Sequence, residues 1–449
     1  MCIQGQSGLP TQSIHTFQLL PCVLVPKPSS LPSSMFKLST KISELHLKPS
    51  PNIAEKLVVV REYDEKKDTE AVEEVERQCE FGSSKGKPSV LMDVMGDPVS
   101  RVRQSPSYVM LVAEYGEQKE IVGMIMGSVK TVTRGKKGMS YQFPVYVKVA
   151  YILGLRVLPS HRRLGLGTKL AQKLEEWCMQ RGAEYSYMAT ECTNKASINL
   201  FTLKCSYVKF RTPTVLVHPV HAHKKPLGSG IRIIRLTSQV AESIYRQVFA
   251  SSELFPKDIE VILSNKLNLG TFMAMPKKFL NNRDLQKSSD GRLPPSFAIL
   301  SVWNTKEVFK LQVKGISSLT YAGCVASRVM DTWMPWLKIP SIPNLFSPFG
   351  VYFLYGLHMQ GKGASGLMKN LCSFAHNMAR NDVGCGALVA EVGKWDPVKE
   401  GIPHWRKFSW AEDIWCMKRL GTSSNDDEES DWTTPPPSSS VIFVDPRDF

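Results

Sequence analysis

The chain has 449 residues, 43% of them hydrophobic and 22% charged; this is room for two or three domains and the balance of a folded globular protein, which excludes fibrous and wholly disordered classes. Its net charge of +15 is uneven: residues 421–449 carry seven acids and one arginine, leaving the rest at +21, which suits a polyanionic ligand such as a nucleotide cofactor, although no nucleic-acid-binding motif is present. No apolar run approaches the roughly 18 residues of a membrane span, and ten cysteines without a C-x-x-C pair read as reduced core thiols of an intracellular protein, not as disulfides or a zinc site.

Residues 1–55 are rich in Ser and Pro, and their first acid is Glu44. They read as a disordered extension; the alternative is a chloroplast transit peptide, against which stands the absence of arginine. "KLVVVREYD" is expected as a strand, followed by the helix "DTEAVEEVERQCEF" with Asp68 as its cap. "YVMLVAEY" and "EIVGMIMGSVKTV" make two further strands joined by a turn. "VYVKVAYILGLRVL" is a buried strand, and the overlapping "VLPSHRRLGLGTKL" ends it with a proline, two arginines and two glycines. Downstream, Leu170, Leu174, Trp177 and Cys178 share one helical face, which Arg181 and Gly182 terminate. "YSYMATECTN" gives another strand and "KASINLFTLKCSY" another helix, while "HPVHAHKKPLGSG" looks like a linker.

The order then restarts. "GIRIIRL" precedes the helix "SQVAESIYRQVFA", and "SFAILSVW" with "VFKLQVKG" makes a strand pair. "VYFLYGLHMQ" is a long apolar strand, followed by "GKGASG" and a helix with Leu367, Leu371, Phe374, Ala375 and Met378 on one face. "GALVAEVG" is the last strand, and its Glu391 takes the place that Glu191 has in "YSYMATECTN". We read this as a diverged internal duplication. The terminal "VIFVDPRDF" is apolar enough to dock, with no sign of where.

The spacing Arg162-x-x-Gly165-x-Gly167 after a strand, followed by another strand and the Asn194 helix, resembles the GNAT superfamily of N-acetyltransferases. The order and tail further resemble the Hookless-type plant N-acetyltransferases, from about Lys56 onward. The resemblance implies an α/β (α+β) fold of tandem GNAT-like domains, each a mixed central sheet flanked by helices, the second diverged. It implies acetyl-CoA as co-substrate: its pyrophosphate on Arg162, Arg163, Leu164, Gly165, Leu166, Gly167 and Thr168, its pantetheine arm on the backbone of Leu155, Arg156 and Val157, with Asn194 and Phe201 completing the site. Physical chemistry supports the loop independently, because glycines let backbone N–H groups converge on an anion at a helix N-terminus. "QGKGAS" lacks the arginines and reads as a remnant of a second site.

Proton handling is where the chain departs from the family. Phe201 stands where a tyrosine often protonates the leaving thiolate, and Tyr151 stands where histone-type members place a glutamate base. Glu191 is the nearest carboxylate in sequence, so Glu191 and Tyr151 are the catalytic candidates, with a solvated strand carboxylate the equal alternative for Glu191. Deprotonating a free lysine amine at neutral pH costs roughly 4 kcal/mol, an α-amine well under 1 kcal/mol; without an evident base, lysine acceptors are disfavoured unless Glu191 or Tyr151 assists. His218, His221 and His223 lack acidic or Cys partners in sequence and read as loop histidines, so no metal is expected. Cys192 lacks an activating His, and the acidic face of Glu70, Glu73, Glu74 and Glu76 reads as solvated.

The expected organisation is a disordered extension (1–55), a GNAT domain with the acetyl-CoA site (56–217), a linker (218–230), a degenerate GNAT-like domain (231–420) and an acidic, Pro/Ser-rich tail (421–449). Two functions stay open. One is acetyl transfer from acetyl-CoA to an amine, on a protein acceptor and in plant growth regulation as the resemblance implies. The other is a scaffold that binds coenzyme A without turnover. The nucleus or cytoplasm is the expected compartment, the chloroplast if residues 1–55 are a transit peptide.

Overall fold

The computed structural model describes residues 58–79, 89–135, 144–278, 293–337, 341, 343–406, 409, 413–421, 432–433 and 441–449. The expected extension over 1–55 and most of the acidic tail lie outside them. β1 (Val58–Glu62) leads into α1 (Glu65–Gln78), which starts ahead of its expected cap. Asp64, with extended backbone, accepts from the Lys66 N–H at 3.0 Å, whereas Asp68 turns inward and is gripped bidentately by Arg61.

β3 (Ser107–Tyr115), β4 (Glu120–Arg134) and β5 (Tyr146–Val157) form an antiparallel meander, and β5 pairs in parallel with β6 (Tyr185–Glu191) across α2 (Leu166–Gln180). A parallel pair needs such a crossover helix. α3 (Lys195–Asn199) runs into a π-helical turn at Leu200–Lys204, then come β7 (Val208–Arg211) and β8 (Thr214–Pro219). The second half repeats the plan with β9 (Ile231–Leu236), α4 (Ser238–Val248), β10 (Glu253–Pro256), α5 (Ile259–Ser264), β11 (Asn268–Pro276) and β12 (Phe297–Asn304). Next are β13 (Lys310–Lys314), α6 (Ser318–Trp333), β14 (Gly350–Gln360), α7 (Ala364–Asn381), β15 (Cys385–Val392) and β16 (Asp413–Arg419). Here too a parallel pair, β14 with β15, is bridged by a helix.

The repeat extends to backbone detail. Gly154 (φ +65°) and Gly356 (φ +59°) each sit in a bulge of the long strand before the crossover, and Gly165 (φ +83°) and Gly363 (φ +79°) each cap the following helix in the left-handed conformation. Tandem GNAT-like halves are therefore visible in the structure, but they exchange strands. The first sheet runs β1-β3-β4-β5-β6-β16-β7, taking β16 from the end of the second half; the second runs β8-β15-β14-β12-β11-β9, taking β8 from the first. The stretch 218–230, read as a linker, thus opens with the last two residues of β8. The expected pairing of "SFAILSVW" with "VFKLQVKG" does not form; β13 pairs with β2 (Ser89–Asp93) as a separate ribbon across the halves. Strand propensity was legible in both cases, and the partner was not.

α2 covers the outer face of the first sheet so closely that a Cβ on Gly127 would stand 2.8 Å from Leu174 Cδ1. α7 covers the outer face of the second through Leu367, Leu371 and Ala375. Between the inner faces runs residues 441–449, touching both: Lys130 of β4 binds Asp445 and Asp448, and Phe449 stacks on Phe353 of β14 at 4.4 Å. Among the described residues no helix is long and apolar enough to cross a membrane.

Candidate functional site

β5 and β6 stay paired only from Val149↔Tyr185 to Ile152↔Met188. Beyond that point the strands splay, and the Gly154 bulge lets β5 turn away while keeping its bonds to β4 up to Gly123↔Val157. A wedge opens whose wall is the half-buried stretch 154–157. α2 begins at its mouth. Leu166, Gly167 and Thr168 precede the first backbone bond of the helix, from Lys169 N–H to Gly165 O (3.0 Å), so their N–H groups form its electropositive end. A Cβ on Gly167 would lie 3.3 Å from Leu200 Cδ2 and 3.8 Å from Leu155 Cδ2, whereas one on Gly165 would meet nothing within 4 Å.

Arg162 and Arg163 are exposed beside this loop, and Arg163 holds a left-handed φ of +68°, which strains a non-glycine residue. Arg162 Nε donates to Val157 O at 3.1 Å, tying the loop to the splayed strand. Leu164 is half-buried, and Leu166 is buried under the helix. Arg156 points inward; burial lowers its guanidinium to about 10, with Glu76 opposing. Asn194 caps α3, its Oδ1 accepting from the Ser197 N–H (3.2 Å). Phe201 is only 1% exposed and packs edge-on against Tyr207, so Leu200, not Phe201, faces the wedge at Gly167. The π-helical turn explains the difference, because it rotates the side chains that follow it.

The two catalytic candidates fall in unlike surroundings. Glu191 is exposed at the end of β6, opposite Asp413 of β16. Tyr151 is buried, and burial first, then the Asp448 charge, drives its phenol far above the ordinary tyrosine value. It stays protonated at neutral pH. Its ring stacks on Tyr187 at 4.8 Å, Tyr187 lies 5.6 Å from Trp415, and Trp415 Nε1 donates to Glu391 Oε1 at 3.1 Å. Glu391, seen in the sequence only as the echo of Glu191, is thus the carboxylate that reaches the inner face. Asp448, from the terminal segment, accepts from Tyr187 Oη beside it. No local sequence signal marks Asp448 or Lys130 as members of this junction.

The histidines also differ from expectation. His218 lies on β8, and His223 finds an acid after all, Asp331 of α6. His218, His221 and His376 of α7 place ring nitrogens within 4.8 Å of one another. His376 Nε2, however, accepts from the His221 backbone N–H (3.1 Å), and His218 Nε2 faces Lys225 Nζ (2.7 Å).

A splayed parallel pair meeting a glycine-opened helix N-terminus, in two mixed sheets, defines a GNAT-type acyltransferase. The pattern of the Acetyltransferase (GNAT) family matches residues 70–207, and the chain belongs to that family. Over 406 residues, 88% of this chain and all of the relative, it is 50% identical to the probable N-acetyltransferase HLS1 of Arabidopsis thaliana. It is 42% identical to the acetyl transferase GW6a of Oryza sativa subsp. japonica, across 88% of this chain and 98% of that one. A solved structure of similar fold is Saccharomyces cerevisiae N-myristoyltransferase with bound myristoyl-CoA, at 9% identity and a TM-score of 0.50 over 85% of each chain.

Proposed function

We propose that the protein transfers the acetyl group of acetyl-CoA to an amine carried by a protein, using one cofactor site per chain. The observation that carries this reading is the β5/β6 wedge opening onto the bare N-terminus of α2. There the first-turn N–H groups, with Arg162 and Arg163, suit a pyrophosphate, and charge-assisted hydrogen bonds of this kind contribute about 1.5–3 kcal/mol each. The side of β5 that leaves β6 after Ile152 suits an amide-bearing pantetheine arm as a substitute strand. The scaffold reading draws on Phe201, whose ring lacks the hydroxyl a leaving thiolate would use. Calorimetry with acetyl-CoA, followed by transfer of labelled acetyl to peptides and small amines, separates the two: binding without transfer to any acceptor selects the scaffold.

One cofactor per chain follows from the second half. The corresponding end of the β14/β15 pair is bordered by residues 442–444, which leave a cavity of only about 10 Å³ beside Tyr355, Gly356 and Glu391. Its glycine loop is backed by chain, since a Cβ on Gly361 would stand 2.1 Å from Pro295 O. A calorimetric stoichiometry near one is therefore expected. Gly363→Ala should leave coenzyme A affinity within twofold while costing about 1 kcal/mol of stability, because Gly363 holds φ +79°. A stoichiometry of two would overturn the single-site reading.

A further inference from the structure

The stretch 218–230, expected as a linker, is strapped down along its length. It leaves β8 at one edge of the second sheet and enters β9 at the other. On the way it runs antiparallel to α7, against a face other than the Leu367, Leu371 and Ala375 stripe that meets the sheet. Arg380 Nε donates to Ala222 O. Asn377 Oδ1 accepts from the Lys225 N–H (2.8 Å) and its Nδ2 donates to Lys225 O (2.9 Å), while Asn370 Oδ1 accepts from the Gly228 N–H (2.7 Å). Where the strap begins, three imidazoles meet. His218 and His376 are buried and His221 is partly so, with ring centroids 5.1 Å (His218–His221), 5.5 Å (His218–His376) and 4.9 Å (His221–His376) apart. Four of their ring nitrogens, His218 Nδ1, His221 Nδ1 and Nε2 and His376 Nδ1, are buried with no hydrogen-bond partner among the described residues. His376 Nε2 accepts from the His221 backbone N–H (3.1 Å), and His218 Nε2 faces Lys225 Nζ (2.7 Å).

We infer that His218, His221 and His376 form an acid-operated latch, closed while all three are neutral, whose protonation lifts residues 221–230 off α7 and leaves the two sheets folded. A proton on any of the rings would place a buried charge beside Lys225 and two further imidazoles, and would add an N–H that finds no acceptor. At His376 it would also turn the Nε2 acceptor into a donor facing the His221 N–H. The surroundings offer little countercharge. Lys225, His223, His404 and Arg380 add only positive charge, and the one acid acting on the group, Asp331, is engaged by His223 and by Ser341 Oγ (2.6 Å). Cys372 of α7, near Lys225, is a thiol that burial keeps neutral. Burial first and Lys225 next hold His218 down to about 3 and His221 to about 4; burial and then His221 hold His376 to about 4. A released strap returns such rings to the ordinary value near 6.5. The latch is therefore fully effective above about pH 6.5 and loses its hold as pH falls toward 4. The strap yields first because side chain-to-backbone bonds hold it, whereas α7 is kept on the sheet by its apolar stripe.

The test is backbone hydrogen exchange of the full chain at pH 7.5 and pH 5.0, corrected for the intrinsic exchange rate at each pH. The N–H groups of His221, Lys225 and Gly228 report the strap, and those of β12 and β14 report the sheet beneath α7. Each histidine that must take up a proton on opening favours the open state by about tenfold per pH unit below 6.5, so opening of the strap should rise by about a hundredfold or more. Opening of β12 and β14 should change by less than about threefold. His376→Gln leaves a carbonyl acceptor for the His221 N–H but cannot charge, and should cut the rise by about tenfold or more. His221→Gln, at a partly exposed position, should do the same if the buried substitution fails to fold. A rise below about threefold in the parent, or an undiminished rise in both variants, overturns the latch. Equal loss of protection in β12 and β14 would mean that acid unfolds the whole half, which overturns it too. One zinc ion per chain, lost in His376→Gln by elemental analysis, would make the rings ligands and overturn it likewise.

Discussion

Gly167→Trp is expected to abolish coenzyme A binding and leave the fold standing. Gly167 is the second residue of α2 and faces the wedge, with Leu200 and Leu155 as the atoms nearest to any side chain placed there. A methyl group would already press Leu200 Cδ2 at 3.3 Å, so Gly167→Ala should weaken binding modestly. An indole has no room on the protein side and must occupy the space over the first-turn N–H groups. Calorimetry should show a loss of at least ~100-fold, about 2.8 kcal/mol. Because the first turn is at the surface end of the helix and Leu170 and Leu174 carry its packing, the unfolding midpoint should move little. Equal affinity in variant and parent would mean that the cofactor phosphates lie elsewhere.

Lys130→Met should be among the most destabilising single changes. Lys130 has a side chain only 1% exposed and stands 3.2 Å from Asp445 Oδ2 and 2.5 Å from Asp448 Oδ2. Asp445 is also held by Arg447, which reaches on to Asp258 at 2.7 Å. Removing the shared cation leaves buried carboxylates short of countercharge, which typically costs about 3–5 kcal/mol. Urea unfolding near pH 7 reads this directly, and proteolysis at the C-terminus should accelerate as residues 441–449 detach. The pH dependence has a definite sign. Burial alone would raise Asp445, but Arg447 and then Lys130 outweigh it and hold its carboxyl well below the ordinary range. Its contribution is therefore present above about pH 4, the unfolded value, and lost only in stronger acid. Burial raises Asp448 despite Lys130, so ionising it already costs stability as pH rises through the carboxylate range. Without Lys130 both carboxyls bind protons more readily, and the deficit of the variant should shrink as pH falls toward 4. A deficit under about 1 kcal/mol at pH 7 would show that the terminal segment is held by its apolar residues instead.

The consequence of this anchoring is that the end of the chain forms part of the core between the two sheets. Phe443 packs on Phe249 and Phe255, Phe449 on Phe353, and Asp448 reaches Tyr187. Removing residues 441–449 would uncover apolar surface on both sheets and take away one of the three carboxylates near Tyr151.

The local features of this protein are written in its sequence because they depend on neighbours a few residues away. The strand Tyr146–Val157, the left-handed glycine before α2 and the apolar stripe of Leu170, Leu174 and Trp177 follow from periodicity and from the backbone freedom of glycine, and with them the glycine loop and the duplication were legible. Tertiary structure decided what those elements meet. Two strand positions were filled by exchange, β16 between β6 and β7 of the first sheet and β8 at the edge of the second, because unpaired backbone groups are satisfied by whichever strand the chain delivers. The same exchange sets the surroundings of two corresponding carboxylates. Glu191 and Glu391 are equivalent in sequence, yet one ends in solvent while the other is carried against Trp415, Asp413 and Asp448, residues delivered by β16 and the chain end. Burial and neighbouring charge fix the proton affinity of a carboxylate, and both are properties of long-range contacts that no stretch of residues contains.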